Sequence, residues 1–288
     1  MLKLREYRQE PSRLPDLLIW AGLLAPGVVL NKNGSLQASF RFRGPDLESA
    51  TASELIAVSA RLNNVLKRLR SGWAVFIEAQ RRPALSYQAG IWPDMVSALI
   101  DEERRAKFAE GEQFESEYYL TLVYQTATMT TSMAYQMLYE HLPEGESVNY
   151  RETIRFFQEQ CGRFEDLLTD IFPMIARLDD SETLTYLHST VSTKRHPLSV
   201  PSIPMYLDVL VSDQDLKAGV RPMLGANYLR TLSIKMFPNE TFPGILEALN
   251  ELGMSYRYVV RYLALDREEA VREIRNMSGA GWPNAKVY

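Results

Sequence analysis

The chain of 288 residues has one cysteine, Cys161, and three histidines. One thiol makes no internal disulfide, and it removes every cysteine-based zinc pattern. This fits a reducing compartment. No G-x-x-x-x-G-K-[ST] segment occurs. The sequence therefore offers no loop of backbone N–H groups with a Lys–Ser/Thr pair to hold phosphates and magnesium. "GVRPMLG", Gly219 to Gly225, has two glycines but no such pair after them. G-x-G-x-x-G, G-x-S-x-G and H-E-x-x-H are missing too, and with them the dinucleotide fingerprint, the hydrolase elbow and the zincin helix. Charge of one sign is also lacking. Lys and Arg number 32 against 36 Asp and Glu, for a net charge of −4. No global basic field draws the chain to nucleic acid or anionic lipid. The strongly apolar run "LLIWAGLLAPGVVL", from Leu17 to Leu30, is interrupted by Pro26. A spanning helix needs about 20 apolar residues, and this run falls short. The mixed-charge start "MLKLREYRQEPSR", with no small-x-small site after the apolar run, does not read as a secretory signal. The run is expected to enter the core as a strand or short helix, and a membrane-surface contact through Trp20 is the alternative.

What is present is ordinary for a soluble globular protein, with 46% apolar and 24% charged residues. Asn33-Gly34 lies between two β-rich runs and predicts a type I′ hairpin. On its second strand Leu36, Ala38, Phe40 and Phe42 alternate with Gln37, Ser39, Arg41 and Arg43. Thr51 and Glu54 then cap a helix whose stripe is Leu55, Leu62, Leu66 and Leu69, closed by Gly72. Strands are predicted at 73–80 and 117–126, with a polar helical insertion near 93–110 between them. Asn149 and Glu152 predict the start of a long helix with Ile154, Phe157, Cys161, Phe164, Leu168, Ile171 and Ile175 inward, kinked at Pro173. "MYLDVLVS" and "NYLRTLSIKMFP" read as strands. "ETFPGILEALNEL" reads as a helix with Leu249 and Leu252 buried, "SYRYVVRYLALD" as a strand, and Asp266 with Glu269 as a final cap. The order strand, strand, helix, glycine, strand thus appears at 28–80 and again at 205–265. The expected fold is α+β: two ferredoxin-like βαβ-containing lobes with antiparallel sheets, joined by the long kinked helix. The expected division is a first lobe at 1–126, a linker and long helix at 127–185, a second lobe at 186–276 and a tail at 277–288.

"YLHSTVSTKRHPLSVPSIPMYLD", Tyr186 to Asp208, holds His188 and His196. Residues eight apart on an extended chain lie about 26 Å apart unless a turn intervenes, and no cysteine or third histidine joins them. The expectation is a polar hairpin with surface histidines. Cys161 falls on a buried helix face, where a thiol is inert. No residue is assigned a catalytic, cofactor-binding or metal-binding role. An alternative function is a single-stranded nucleic-acid-binding ferredoxin-like domain. "RSGWAVFIE", Arg70 to Glu78, is a loose cousin of an RNA-binding strand, but Val75 and Glu78 stand where stacking aromatics belong. "SYRYVVRYL" interleaves Tyr256, Tyr258 and Tyr262 with Arg257 and Arg261, and exposure of those tyrosines on an open sheet face would favour that reading.

Three long runs carry a resemblance. "SETLTYLHSTVSTKRHPLSVPSIPMYLDVLV", "PMLGANYLRTLSIKMFPNETFPGILEALNEL" and "YRYVVRYLALD" look like the N-terminal region of the CagE, TrbE, VirB family of type IV secretion ATPases. The start, "LREYRQEPSRLPDLLIWAGLLAPGVVLNKNGSLQASFRFRGPDLESATASELIAVSARLNNVLKRL", resembles the same family. The resemblance implies a docking and scaffold domain of a machine for conjugative DNA transfer, cytoplasmic and peripheral to the inner membrane. It implies partners among the other secretion components, in particular a small inner-membrane subunit, with homo-oligomers allowed and no direct contact with nucleic acid. The family's motor is a RecA-like domain C-terminal to this region, so ATP and magnesium are expected only of the full-length family protein. Residues 277–288 do not look like the family, and the chain is expected to stop before the motor and to lack ATP hydrolysis of its own. The resemblance assigns no role to His188 or His196.

Overall fold

The computed structural model describes residues 13–46, 49–84, 87–88, 90–111, 113–125, 144–233 and 245–279. After the one-turn helix α1 (Leu14–Leu17), the apolar run folds back on itself as β1 (Trp20–Ala25) and β2 (Val28–Asn31), paired antiparallel. Val28, Val29 and Leu30 are fully buried. The run does enter the core, as a hairpin turning at Pro26-Gly27. Gly27 has φ +63°, and a Cβ there would lie 2.5 Å from the carbonyl oxygen of Leu178. Asn33-Gly34 connects β2 to β3 (Leu36–Arg43), but not as a type I′ turn. Only Gly34 has positive φ, at +83°. Gly34 N donates to the Asn31 carbonyl and Asn31 N to the Ser35 carbonyl, both at 2.9 Å. The result is a three-residue loop with glycine at the bulge. The Asn33 carboxamide accepts from Ser35 N and Oγ instead of supporting a left-handed backbone.

Next come α2 (Ala52–Leu66), β4 (Trp73–Pro83), α3 (Met95–Ala109), β5 (Phe114–Tyr124), α4 (Glu144–Thr169) and β6 (Met174–Arg177). The Thr51–Glu54 capping box forms as read. β5 lies between β3 and β4, antiparallel to both, and β6 pairs with the other edge of β3 over Phe40–Arg43. The order β6-β3-β5-β4, with α2 and α4 as connections, is the β-α-β-β-α-β succession. Both helices cover one face of the sheet. Leu62 and Val65 of α2, and Phe157, Cys161, Phe164 and Leu168 of α4, pack on Leu36, Ala38, Phe40, Val75, Leu120 and Leu122. Burying each large side chain contributes about 1.5–3 kcal/mol. The expected kink does not occur. α4 is already helical at Glu144, so Asn149 does not cap it, and it ends at Thr169, before Pro173. Proline lacks an N–H and disfavours helix at the residue before it. The chain therefore leaves the helix and returns as β6, carrying Ile175 with it.

The second half departs further from expectation. It contains α5 (Asp180–Val191), α6 (Leu207–Leu210), the two-residue strands β7 (Leu216–Lys217), β8 (Met223–Leu224) and β9 (Asn227–Tyr228), a 3₁₀ turn (Glu247–Glu251), β10 (Tyr256–Leu263) and α7 (Arg267–Gly279). "MYLDVLVS" is not a strand. A helical turn places Leu207 and Val211 together in a second core cluster with Val29, and Asp208 meets Lys32 at 2.6 Å. Tertiary contact here overrides β propensity. "NYLRTLSIKMFP" contributes only Asn227–Tyr228 to a strand among the described residues; its part from 234 on, like 240–244 of the predicted helix, lies outside them. In the described remainder Leu249 is half-buried and Leu252 is 41% exposed. β10 forms where expected, but it pairs with β4 rather than with a second sheet of its own. Two lobes are therefore not what the described residues form. One antiparallel α+β sheet of seven strands, β1-β2-β3-β5-β4-β10 with β6 on β3, runs across the expected boundary, and the small β7-β8-β9 sheet lies beside it.

Candidate functional site, a polar cleft beneath α5

The second face of the large sheet is covered by α5. Its sequence gives it a helical start: Asp179 accepts from Glu182 N at 2.8 Å, and Asp179 N donates to the Glu182 carboxylate at 3.1 Å. Leu184, Leu187 and Val191 then fall on one face and pack on Val29, Tyr119 and Leu178. The expectation of a polar hairpin with surface histidines is therefore corrected for the hairpin and for His188, while His196 is exposed. His188 lies inside this helix and is 1% exposed. The helix brings His196 back against it, with ring centroids 4.5 Å apart. The helical signal was present in Asp179, Glu182 and the 184-187-191 spacing. The β-branched Thr183, Thr185, Thr190 and Val191 and the prolines that follow hid it.

The polar residues of β4, β5 and β10 meet α5 in a network. Glu78 is 4% exposed. Its carboxylate accepts from Arg257 Nε at 2.6 Å, Tyr186 OH at 2.9 Å and Gln80 Nε2 at 2.8 Å. Arg257 Nη1 also donates to the Thr190 carbonyl. Burial first, and then Glu78, push the Tyr186 hydroxyl well above its ordinary range. Tyr186 stacks on Tyr119 at 4.3 Å, and burial with Glu117 pushes Tyr119 up to about 12. Arg82 bridges Glu115 and Glu117 at 2.7 and 2.6 Å. Arg82, Glu117, Tyr119 and Tyr186 border a cleft of about 400 Å³ lined also by Arg41, Ser181, Thr185, Arg195 and His196, whereas Glu78 and Arg257 face the larger groove described below. Burial, and then Arg82, push the Arg195 guanidinium down from its usual value.

This chemistry holds elements together. Ser189 Oγ donates to the Tyr186 carbonyl and accepts from Gln80 Nε2, and it does not donate to an imidazole. His188 Nε2 stands 3.4 Å from Asp213 Oδ2 without completing a hydrogen bond, and Lys194 Nζ reaches the same oxygen at 3.1 Å. Partial burial opposes ionisation of Asp213, but Ser192, Lys194 and the nearby His188 outweigh it and bring its pKa down to about 2. Cys161 is buried under the opposite face, and burial raises its thiol to about 12. Among the described residues no group of three His, Cys, Asp or Glu could hold a metal ion. The RNA-strand cousin at 70–78 is covered as well: Val75 sits in the core and Glu78 lies beneath α5. Tyr256 and Tyr258 are half-buried, Tyr262 is 40% exposed, and Arg257 is tied to Glu78. The sequence reading did not anticipate the role of Glu78, Tyr186 and Arg257. Its one available signal was a lone carboxylate in the apolar strand "WAVFIEAQ".

A second opening lies on the same face beyond α5. It is a groove of about 580 Å³ with Ile19, Trp20, Phe76, Val123, Val259 and Leu263 among its walls.

Comparison with known proteins agrees with this picture. The model of the type IV secretion system ATPase VirB4/TrbE N-terminal domain matches residues 27–131. The conjugal transfer protein TrbE of Rhizobium radiobacter is 33% identical over 94% of this chain and 35% of its own length. In Sinorhizobium fredii a probable conjugal transfer protein TrbE is divided between two chains, and the first of them is 40% identical over 48% of this chain and 95% of its own length. The type IV secretion system protein VirB4 of Brucella abortus is 21% identical over 82% of this chain and 30% of its own length. The chain spans about a third of the length of the Rhizobium radiobacter and Brucella relatives. With a relative matched over nearly its full length and the N-terminal domain model in register with the β2–β5 core, the chain belongs to the VirB4/TrbE family of type IV secretion systems and corresponds to its N-terminal region.

Proposed function

We propose that this chain is the docking module of a TrbE-like conjugation ATPase, holding a motor to its secretion apparatus and performing no catalysis itself. The partner is a small inner-membrane subunit of that apparatus, and the module sits on the cytoplasmic side, peripheral to the membrane. The observation that carries this reading is the groove beyond α5, whose apolar walls at Ile19, Val259 and Leu263 are exposed. An apolar strip beside a polar, internally satisfied cleft suits protein contact. ATP and magnesium belong to the full-length family protein, since the 288 residues contain no phosphate-cradling motif. No helix among the described residues is long and apolar enough to cross a membrane, which leaves a partner to bring the module to the bilayer.

The test is flotation with liposomes. Liposomes carrying the small inner-membrane component should float the purified chain, and bare neutral liposomes should not. Ile19→Asp should weaken flotation at an unchanged melting temperature. Flotation with bare liposomes, or none with the loaded ones, overturns the reading.

A further inference from the structure

Among the described residues β10 is an edge strand. It pairs with β4 over all eight of its residues without a register break, and no described strand pairs with its other side. Natural edges are blunted by proline, charged side chains (lysine above all), bulges or a covering element, and the charges of this strand are two arginines, of which Arg257 is tied to Glu78. "YRYVVRYL" has no proline or lysine, and Val259, Val260 and Leu263 are 48%, 40% and 51% exposed. The phase of the strand is fixed by Ala264 N, which donates to the Trp73 carbonyl at 3.0 Å. Backbone groups alternate sides along an antiparallel ladder. Tyr258, Val260 and Tyr262 thus direct their N–H and C=O groups to β4, and Arg257, Val259, Arg261 and Leu263 direct theirs outward.

We propose that this edge pairs with the same edge of a second copy, antiparallel, about a twofold axis at Val260. An axis perpendicular to a continuous sheet keeps each face on its own side, so it must pass through a residue and pair positions of equal parity. Centred on Val260, it sets Tyr258 opposite Tyr262, Val259 opposite Arg261 and Arg257 opposite Leu263 of the second copy. Aromatic cross-strand pairs of this kind stabilise a ladder, and no like charges face each other. Centring on Val259 instead sets Arg257 opposite Arg261, and centring on Arg261 sets that residue opposite itself. Charge excludes those two registers, and of the remaining ones the Val260 register keeps the most of the strand, residues 257–263, paired. The outward groups of Arg257, Val259, Arg261 and Leu263 are then all satisfied. This pairing uses the strand's edge and leaves the groove face open, so it stands independently of the docking reading.

Cys161 is fully buried, so one introduced cysteine is the only reactive thiol. In the proposed register the two Val260 positions form a non-hydrogen-bonded pair, with Cα atoms about 4.5 Å apart, within disulfide reach. Mild oxidation should convert most Val260→Cys protein to a covalent dimer and almost none of Val259→Cys, whose copies are offset across the axis. Sedimentation should show a dimer for the unmodified chain. Val259→Pro removes only an outward N–H, which an edge tolerates, and should lose the dimer while keeping the melting temperature. A monomeric unmodified chain, or equal crosslinking at 259 and 260, overturns the proposal. If Val259→Pro fails to fold, the crosslinking pair decides.

Discussion

At Asp213, Ser192, Lys194 and the imidazole of His188 converge on one carboxylate, and its pKa falls to about 2. An unfolded aspartate titrates near 3.9. Because the folded value is the lower one, the stabilisation is fully present above about pH 4 and is lost as pH falls from there toward 2. Asp213 remains partly open to solvent, so screening keeps the effect on the order of 1 kcal/mol. Asp213→Asn should lower the melting temperature near pH 7 by roughly 2–4 °C and flatten the decline between pH 4 and 2. Thermal melts of both proteins across that window check this, and parallel acid limbs would remove Asp213 from the account. Nothing in the local sequence marks this residue. It becomes significant only because α5 buries His188 and the following loop brings Lys194 to the same oxygen.

At the scale of elements, Glu78, Tyr186 and Arg257 tie β4, α5 and β10 together. Removing one member of a buried ion pair leaves an unmatched charge and costs about 3–5 kcal/mol. The Arg257 side chain is partly exposed, so Arg257→Ala should lie near the lower end of that range, about 3 kcal/mol. Glu78→Gln with Arg257→Met should recover most of the loss, because no bare charge remains. Denaturant unfolding of the single and double variants measures the difference, and a double variant no better than Arg257→Ala would show that packing, not charge, is lost. The elements legible in the sequence share one property: their signals are local. The capping box and leucine stripe of α2, the inward face of α4 and the apolar strands β3, β4 and β5 each announce themselves within a dozen residues. α5 and α6 do not. Threonines and prolines mask α5, and α6 is a single turn stabilised by Val29 and Lys32, far away in the chain.

For the whole molecule, the strand at 256–263 was legible and its partner was not. Alternation gives a strand two faces but does not say which edge it joins, since pairing is set by contacts between distant segments. A repeated order of elements suggested a second sheet, and β10 instead extends the first, along the free side of β4. The polar cleft was hidden for the same reason. Its members come from β3, β4, β5, α5 and the segment after α5, and the residues of α5 make only one of its walls. The apolar groove likewise needs the N-terminal hairpin and β10 to be brought to one face.

The pairing of β4 with β10 also orders events in time. Arg257 is 179 positions after Glu78. A ribosome adding about 5–20 residues each second needs roughly ten to forty seconds to cover that distance. Through this interval the growing chain has β4 without its outer neighbour and a carboxylate waiting for its cation, so an unpaired strand edge is open to other nascent chains. Late arrival of the sealing strand makes its emergence from the ribosome the step at which this sheet is completed. A version ending at residue 250 should remain in that vulnerable condition. It should bind the dye ANS and sediment as aggregate on expression, and co-expression with a chaperone that shields exposed strands should keep it dispersed without restoring a cooperative melt. A shortened chain that stays soluble alone and melts cooperatively would show that the last strand arrives at a sheet already complete.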